Sequence, residues 1–252
     1  ERIKSNVKKK GVAMKGCKKY PYVCDDGTEY TVCISKGNGK MGDISSVSLP
    51  RLITCPEGVP CRNKCYMRTL AARPNVKRTY AQNWKCYKEF PAWYWFCITK
   101  HASQQAYFRW HVCGDIPDME YLNGMIEVAK NTETCKHLCF TKNYSVVNAW
   151  LDYYKEFPYN MIVVFSRWDG YCCDNRYNLP EAWVDFADAK LPNYVLERGR
   201  RCRHSCNCCN YAGDGCWDMK PGDIVILNGS QIESEETELD IMLREFAITF
   251  HR

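Results

Sequence analysis

The chain has 252 residues, of which 46% are hydrophobic and 25% are charged, ordinary values for a globular protein. This length supports one sizeable core, which excludes a small scaffold held together by disulfides alone. The net charge of +6 is unevenly spread, because lysines crowd the N-terminal segment and residues 233–240 are acidic. The longest apolar run, Phe90–Ile98, is too short to cross a bilayer, so we expect no membrane partner.

The first part of the chain predicts a peripheral segment followed by helices. Residues 1–48 are rich in turns, and a first strand is predicted over 46–53. From 62 to about 102 the pattern of apolar residues is helical, and Pro74 and Pro91 mark the breaks between helices. A loop with three cysteines connects the first strand to these helices.

The middle of the chain alternates strands and helices. Runs of β-branched and aromatic residues predict strands over 106–113, 136–141 and 161–166. Helical periodicity between them predicts helices over 117–130 and 145–154. Short joints between such elements indicate right-handed parallel β/α units. We therefore predict an α/β fold with a partial parallel (β/α) barrel.

Three segments are predicted along the chain: the peripheral residues 1–48, the partial barrel over 49–198, and a cysteine-rich metal-binding extension over 199–252. Three further elements are predicted near the end of the chain: a strand over Tyr194–Glu197, a strand over Asp223–Leu227 and a helix over Glu235–Phe246.

Polar residues follow three of the predicted strands. The carboxyl ends of parallel strands meet at one edge of a sheet, where ligands bind. The candidate catalytic residues at this edge are His111, Cys113 and Asp115. The candidate residues for binding a cofactor are Gly114, Asp115, Lys142, Ser166 and Arg167, and Lys142 and Arg167 suit a carboxylate or a phosphate.

Eighteen cysteines occur, and eight of them fall in two tight groups. Grouped cysteines in a chain of this size favour metal binding over disulfides. The first group is Cys55, Cys61 and Cys65. Three thiolates on one loop can hold three irons of a [4Fe-4S] cluster and leave the fourth iron open to a ligand. Zinc, which prefers four ligands, and uncoordinated thiols or a disulfide are the alternatives.

The second group supplies five cysteines where a cluster needs at most four. Its members are Cys202, Cys206, Cys208, Cys209 and Cys216. One possible set of four ligands is Cys202, Cys206, Cys209 and Cys216. In another set, Cys208 replaces its neighbour as a ligand. Ligation by four thiolates would make an electron relay or a structural clamp, as a second iron–sulfur cluster or as a zinc site.

Several short motifs together resemble the phage gene product 88 domain family, over roughly residues 36–218. The motifs are Gly39-Lys40-Met41-Gly42, Ser48-Leu49-Pro50, the cysteine loop from Thr54 to Tyr66, Phe108 to Ile116, and Cys216-Trp217. That family looks like a distant relative of radical S-adenosylmethionine enzymes, which place a three-cysteine loop after the first strand of a partial β/α barrel. In those enzymes a Gly-Gly-Glu-like segment contacts the amino group of the cofactor, and Gly114-Asp115 lies at the matching place.

The resemblance implies a radical S-adenosylmethionine-like enzyme in which a reduced cluster passes an electron to a bound sulfonium. The implied cofactors are one or two [4Fe-4S] clusters and S-adenosylmethionine. The implied partners are a small-molecule or macromolecular substrate of unknown identity and an electron donor such as a ferredoxin or flavodoxin. The expected location is the cytoplasm of a phage-infected or prophage-carrying host cell.

Two other functions fit the same residues. One is a cluster-dependent redox or sulfur-transfer protein that does not use S-adenosylmethionine. The other is a zinc-stabilised module that binds nucleic acid through the lysines near its N-terminus.

Overall fold

Nine strands and seven α-helices make up the fold in a computed structural model that describes residues 16–62, 65–186 and 190–229. The strands are β1 (Cys17–Val23), β2 (Glu29–Ser35), β3 (Ser45–Val47), β4 (Tyr107–Trp110), β5 (Lys136–Thr141), β6 (Met161–Arg167), β7 (Glu181–Asp185), β8 (Arg200–Arg201) and β9 (Ile224–Asn228). The helices are α1 (Arg68–Ala71), α2 (Pro74–Glu89), α3 (Pro91–Ala102), α4 (Met119–Lys130), α5 (Tyr144–Tyr154), α6 (Asn193–Arg198) and α7 (Cys206–Tyr211). Short 3-10 turns cover Pro60–Arg62 and Cys216–Asp218.

All nine described strands belong to one sheet in the order β1-β2-β3-β4-β5-β6-β7-β9-β8. The pairs β1–β2 and β2–β3 are antiparallel, and every pair from β3 onwards is parallel. The predicted α/β class with a mostly parallel sheet is therefore confirmed. Among the described strands the sheet ends at β1 and β8, and a partial barrel stays a prediction.

Local signals placed most elements of the middle of the chain correctly. Strand β5 has the predicted bounds, and β6 and α5 each differ from prediction by one residue at one end. Proline occupies the first position of α2 and of α3, where its fixed φ suits a helix start. Helix α4 begins after Asp118, whose side chain accepts a hydrogen bond from the Tyr121 N–H at 2.8 Å.

Three expectations at other places were wrong or incomplete. The strand predicted over Tyr194–Glu197 is helix α6, which starts after Pro192 and buries Val195 against β7 and β9. The first strand is shorter than predicted, because pairing stops at Val47. The sequence pattern did not predict the hairpin of β1 and β2 or strand β7. The helix predicted over 235–246 lies outside the described residues.

Both faces of the parallel sheet are covered, as parallel strands require. Alternate residues of β6 show this: Val163 and Phe165 pack in the core beneath the helices, whereas Val164 packs in a second core on the opposite face. The second core includes Trp217 and Met219 from the C-terminal segment. Strands from all three predicted segments pair in this one sheet, and the predicted domain boundaries themselves stay a prediction.

A buried asparagine joins helix α2 to the sheet. The Asn83 side chain accepts a hydrogen bond from the Cys33 N–H at 2.7 Å and donates to the carbonyls of Cys33 and Ser48, both at 3.0 Å. Asn83 is fully buried. These bonds satisfy backbone groups of β2 and of the chain just after β3, so the antiparallel and parallel parts of the sheet share one anchor.

We expect Asn83→Ala to lower the free energy of unfolding by about 3 kcal/mol, because three buried backbone groups lose their partner. Chemical denaturation measures this change. The control is Lys77→Ala on the exposed face of α2, which should change stability by less than about 0.5 kcal/mol. Equal stabilities of the two variants would contradict the role of Asn83 as an anchor.

Candidate functional site

The cysteine loop between β3 and α1 is held in shape by arginine side chains. The Arg62 guanidinium donates to the carbonyls of Leu52 at 3.2 Å and Pro56 at 3.4 Å. Arg51, which is buried, donates to the carbonyl of Arg62 at 3.0 Å. Leu52 has a left-handed backbone with a φ of 71°. Bonds from side chain to backbone therefore hold residues 51–62 of this loop.

The turn after β4 packs directly against this loop. Gly114 has a φ of 80°, and a Cβ atom there would lie 2.6 Å from the Thr54 hydroxyl and 2.7 Å from the Leu49 carbonyl oxygen. The Asp115 N–H donates to the Thr54 hydroxyl at 3.2 Å. Position 114 therefore requires glycine for two reasons, its backbone conformation and the close approach of the loop.

Asp115 is buried, and both of its carboxylate oxygens accept hydrogen bonds. The donors are the Thr141 hydroxyl at 2.6 Å, the Lys142 N–H at 2.8 Å and the Ile116 N–H at 2.7 Å. Burial raises the pKa of Asp115, and these three donors oppose that rise. The carboxylate joins the ends of β4 and β5, and its expected contact with a cofactor stays a prediction.

The predicted rim residues are only partly brought together. Lys142 donates from Nζ to the Ser166 hydroxyl at 2.6 Å. Arg167 points to other partners, because it donates to the Cys173 carbonyl at 3.1 Å and lies 3.5 Å from a Glu181 carboxylate oxygen. Lys142 and Ser166 thus form one side of the candidate site, whereas Arg167 braces β6 against β7.

Tyr171 also belongs to this rim, and sequence reasoning missed it. Burial raises its pKa, and the nearby Cys61 thiol and Asp115 carboxylate raise it further. Its ring packs on Tyr144 with centroids 5.8 Å apart. This tyrosine, immediately before Cys172, carried no signal in the sequence, because only the fold brings it near Cys61.

The three thiols of the first group share one environment. Burial raises the pKa of Cys55, and the charges of Asp115, Cys113 and Cys61 raise it further. Burial also raises the pKa of Cys61, which the Lys142 ammonium lowers and the Cys65 thiol raises. These mutual effects mean that the loop brings its cysteines near one another at the carboxyl edge of the sheet.

Cys113 is a fourth thiol beside this group. Burial raises its pKa to about 12, and the Cys65 thiol raises it further. Tyr66, which follows Cys65, and Val112, which precedes Cys113, are also in contact. The Tyr66 hydroxyl donates a hydrogen bond to the Val112 carbonyl at 2.5 Å. The sequence suggested Cys113 as a catalytic residue, and the structure places it in one hydrophobic cluster with Cys65.

His111 was predicted to be catalytic, and its contacts are those of a core residue. It is buried, its Nε2 lies 3.2 Å from the Tyr121 hydroxyl, and its ring packs on that of Tyr121. Burial lowers the pKa of His111 to about 3, and the Arg109 charge lowers it further. The imidazole is therefore neutral at physiological pH. Its catalytic role stays a prediction.

The second group of cysteines lies on the other face of the sheet. Cys202, Cys206 and Cys216 pack on the core that contains Trp217, whereas Cys208 is exposed. A cavity of about 310 Å³ is lined in part by Cys202, Cys209 and Cys216.

Charges from the sheet reach this second group. Burial raises the pKa of Cys216 to about 11; Arg200 and Arg109 lower it, and the thiols of Cys202 and Cys206 raise it. Arg109 projects from β4, and its guanidinium lies over the Phe140 ring at 4.0 Å. A half-buried cation beside the thiols favours their deprotonated form, which is the form that binds metals.

Among the described residues of the hydrophobic clusters, one side chain packs on the clusters beside both cysteine groups. Val112 packs on the cluster that contains Cys113 and Cys65, and also on the core against which Cys206 and Cys216 pack. Val112 therefore connects the two clusters on which the cysteine groups pack.

All eighteen cysteines lie within the described residues, and none of them forms a disulfide. Within residues 16–62, 65–186 and 190–229, no group of three or more His, Cys, Asp or Glu side chains is close enough to hold a single metal ion. In the same residues, no helix is long and apolar enough to span a membrane.

The fold and the site define a cysteine-rich α/β protein whose thiol-bearing loop lies at the carboxyl edge of a parallel sheet. Residues 32–184, more than half of the chain, match the family described as Gene product 88. The chain therefore belongs to this family of phage proteins. The match includes the first cysteine group and the rim residues and ends before the second group. No match was found among curated proteins or among solved structures.

Acidification should destabilise the fold through its buried histidines. Burial lowers the pKa of His111 to about 3 and that of His137 to about 4, below the value of about 6.5 expected in the unfolded chain. The unfolded chain therefore binds more protons, and stability falls with decreasing pH. Each histidine should cost about 2 kcal/mol between about pH 7 and about pH 5, measured by urea unfolding.

His111→Asn isolates one of the two contributions, because asparagine tolerates the left-handed backbone at this position, where φ is 52°. Between about pH 7 and about pH 5, this variant should lose about 2 kcal/mol less stability than the wild type, whatever its stability at neutral pH. The same pH dependence in both proteins would show that His111 titrates normally.

Proposed function

We propose that the protein is an iron–sulfur protein with a [4Fe-4S] cluster on Cys55, Cys61 and Cys65. The observation that carries this proposal is the position of the three thiols. One ordered loop presents them at the carboxyl edge of a parallel sheet, where they influence one another's pKa values. Ligand sites of open α/β sheets lie at this edge.

The donor set fits such a cluster better than a lone ion. Thiolates are the ligands that iron–sulfur clusters require, and each one binds a different iron at a corner of the cluster. Cluster ligands therefore stand further apart than the ligands of one tetrahedral ion. The loop supplies three thiolate donors, one for each of three irons.

We further propose a radical S-adenosylmethionine-like activity for this site. A cluster with one open iron would bind the methionine end of S-adenosylmethionine and pass an electron to its sulfonium. The chain would supply binding and orientation: the Lys142 ammonium, held by Ser166, suits a carboxylate. Tyr171, above Cys61, would help to exclude water.

The second cysteine group would hold an auxiliary cluster or another metal. Cys202, Cys206, Cys209 and Cys216 are the better set of four, because Cys208 is exposed and the others line the cavity or the core. Full ligation by four thiolates leaves no open iron, so this site would relay electrons. A ferredoxin or flavodoxin would be the electron donor.

A second candidate function follows from the position of Cys113. If its thiol binds the fourth iron, the first cluster has no open position, and S-adenosylmethionine has no place to bind. The protein would then be a cluster-dependent redox protein or a sulfur-transfer protein. The buried Cys113 thiol beside Cys55 and Cys65 is the observation that favours this alternative.

Anaerobic purification with iron and sulfide analysis tests the cluster. The wild type should be brown with about eight irons per chain for two clusters, and Cys61→Ala should lose about four of them. Cys97→Ala is the control, because Cys97 is a buried thiol on α3 outside both cysteine groups, and it should keep all the iron. A colourless wild type with stoichiometric zinc would instead support the zinc-stabilised module.

S-adenosylmethionine binding to the iron-loaded protein distinguishes the two candidate functions. Titration calorimetry of the wild type should show saturable heat at millimolar ligand or below, because an open iron chelates the amino and carboxylate groups. Cys113→Ala should keep its iron and its binding. If the wild type gives no heat and Cys113→Ala gains it, Cys113 is the fourth ligand and the radical proposal fails.

A further inference from the structure

Five aromatic rings form a continuous row on the face of the molecule where β1 and β2 meet α3. Consecutive ring centroids are 5.6 Å apart for Tyr30 and Phe90, 5.2 Å for Phe90 and Tyr22, 5.0 Å for Tyr22 and Trp93, and 5.3 Å for Trp93 and Phe96. Trp93 and Phe96 are stacked, and the other pairs are tilted or edge-to-face. The row is therefore a fixed surface and not a set of separate side chains.

The row is open to solvent. Tyr22 is 39% exposed and Phe96 is 52% exposed, and the remaining three rings are half-buried. Tyr22 lies near the end of the edge strand β1, whose only paired neighbour among the described strands is β2, and its ring packs on Phe90 and on Trp93 of α3. Large aromatic rings that remain exposed together mark interaction sites more often than isolated ones do.

Lysines border the row. Lys100 lies over the Phe96 ring at 5.8 Å, and Lys18 lies over Tyr20, the residue two positions before Tyr22, at 5.8 Å. At the other end Lys85 lies over the Tyr30 ring at 5.2 Å, where Glu89 partly neutralises it at 3.8 Å. The positive end of the row is therefore the end with Lys18 and Lys100.

We propose that this aromatic row binds single-stranded nucleic acid. Bases of any sequence can stack on exposed aromatic rings, and Lys18 and Lys100 would contact the phosphates. A duplex hides its base faces, so a stacking surface discriminates against it. This activity would be separate from the cysteine sites, which lie at the carboxyl edge and on the opposite face of the sheet.

Fluorescence anisotropy with the full-length chain and labelled oligonucleotides of about 20 nucleotides tests the proposal. Oligo-dT and oligo-rU serve as the two single-stranded probes and show whether DNA or RNA is preferred. Trp93→Ala and Phe96→Ala should each weaken binding of the preferred probe by about tenfold or more, since each removes a stacking ring. Tyr153→Ala is the control, because Tyr153 is 78% exposed on α5 and outside the row, and it should bind like the wild type.

The lysines have a separate signature in the salt dependence. The double variant Lys18→Glu, Lys100→Glu should reduce the slope of log affinity against log salt by about 1.4, which is about 0.7 for each lost phosphate contact. Lys130→Glu, Lys155→Glu is the matched control on exposed lysines elsewhere and should keep the slope.

Three outcomes would overturn the proposal: no binding of either probe at about 10 µM protein, duplex binding as tight as single-strand binding, or unchanged affinity in Trp93→Ala and Phe96→Ala. The last two would show binding by charge alone. Circular dichroism of each variant establishes that its fold is retained, so a loss of affinity in a folded variant supports the stacking surface.

Discussion

The backbone contact between the cysteine loop and the turn after β4 is the constraint on which the candidate site depends. Gly114 allows the two segments to touch, because any Cβ there would overlap Thr54 and Leu49. Asp115 then reaches the end of β5 through Thr141 and Lys142. A buried carboxylate is costly without partners, and three donors at close distance offset that cost. The contact therefore both positions the cysteines and demands a polar network beneath them.

The requirement that a parallel sheet be covered on both faces explains where the second cysteine group lies. Helices cover one face, and the segment that contains Cys206, Cys216 and Trp217 covers the other. This segment thus completes the core and at the same time carries the five thiols of the second group. Arg109 on β4 lowers the pKa of Cys206 and Cys216, and Val112 packs on the hydrophobic clusters beside both groups.

The edge of the sheet at β1 follows different physics. An edge strand exposes unpaired backbone groups and invites other chains to pair with it, and proteins commonly protect such edges with charged residues. Here β1 carries Lys18 and Lys19, and the ring of its Tyr22 packs on Trp93 of α3. The chain therefore has two distinct chemistries, thiols at the carboxyl edge of the sheet and aromatic rings with lysines at its first strand.

The sequence by itself determined the elements whose signals are local. Helix starts at Pro74 and Pro91, the buried runs of β5 and β6, and the grouping of the cysteines were all visible, because periodicity, proline and spacing act over a few residues. Only the tertiary structure decided which groups meet. It placed Cys113 beside the cysteine loop, turned Arg167 away from the rim and brought in Tyr171, and it made a helix of residues predicted as a strand. Such outcomes depend on contacts between distant segments, and no local pattern encodes them.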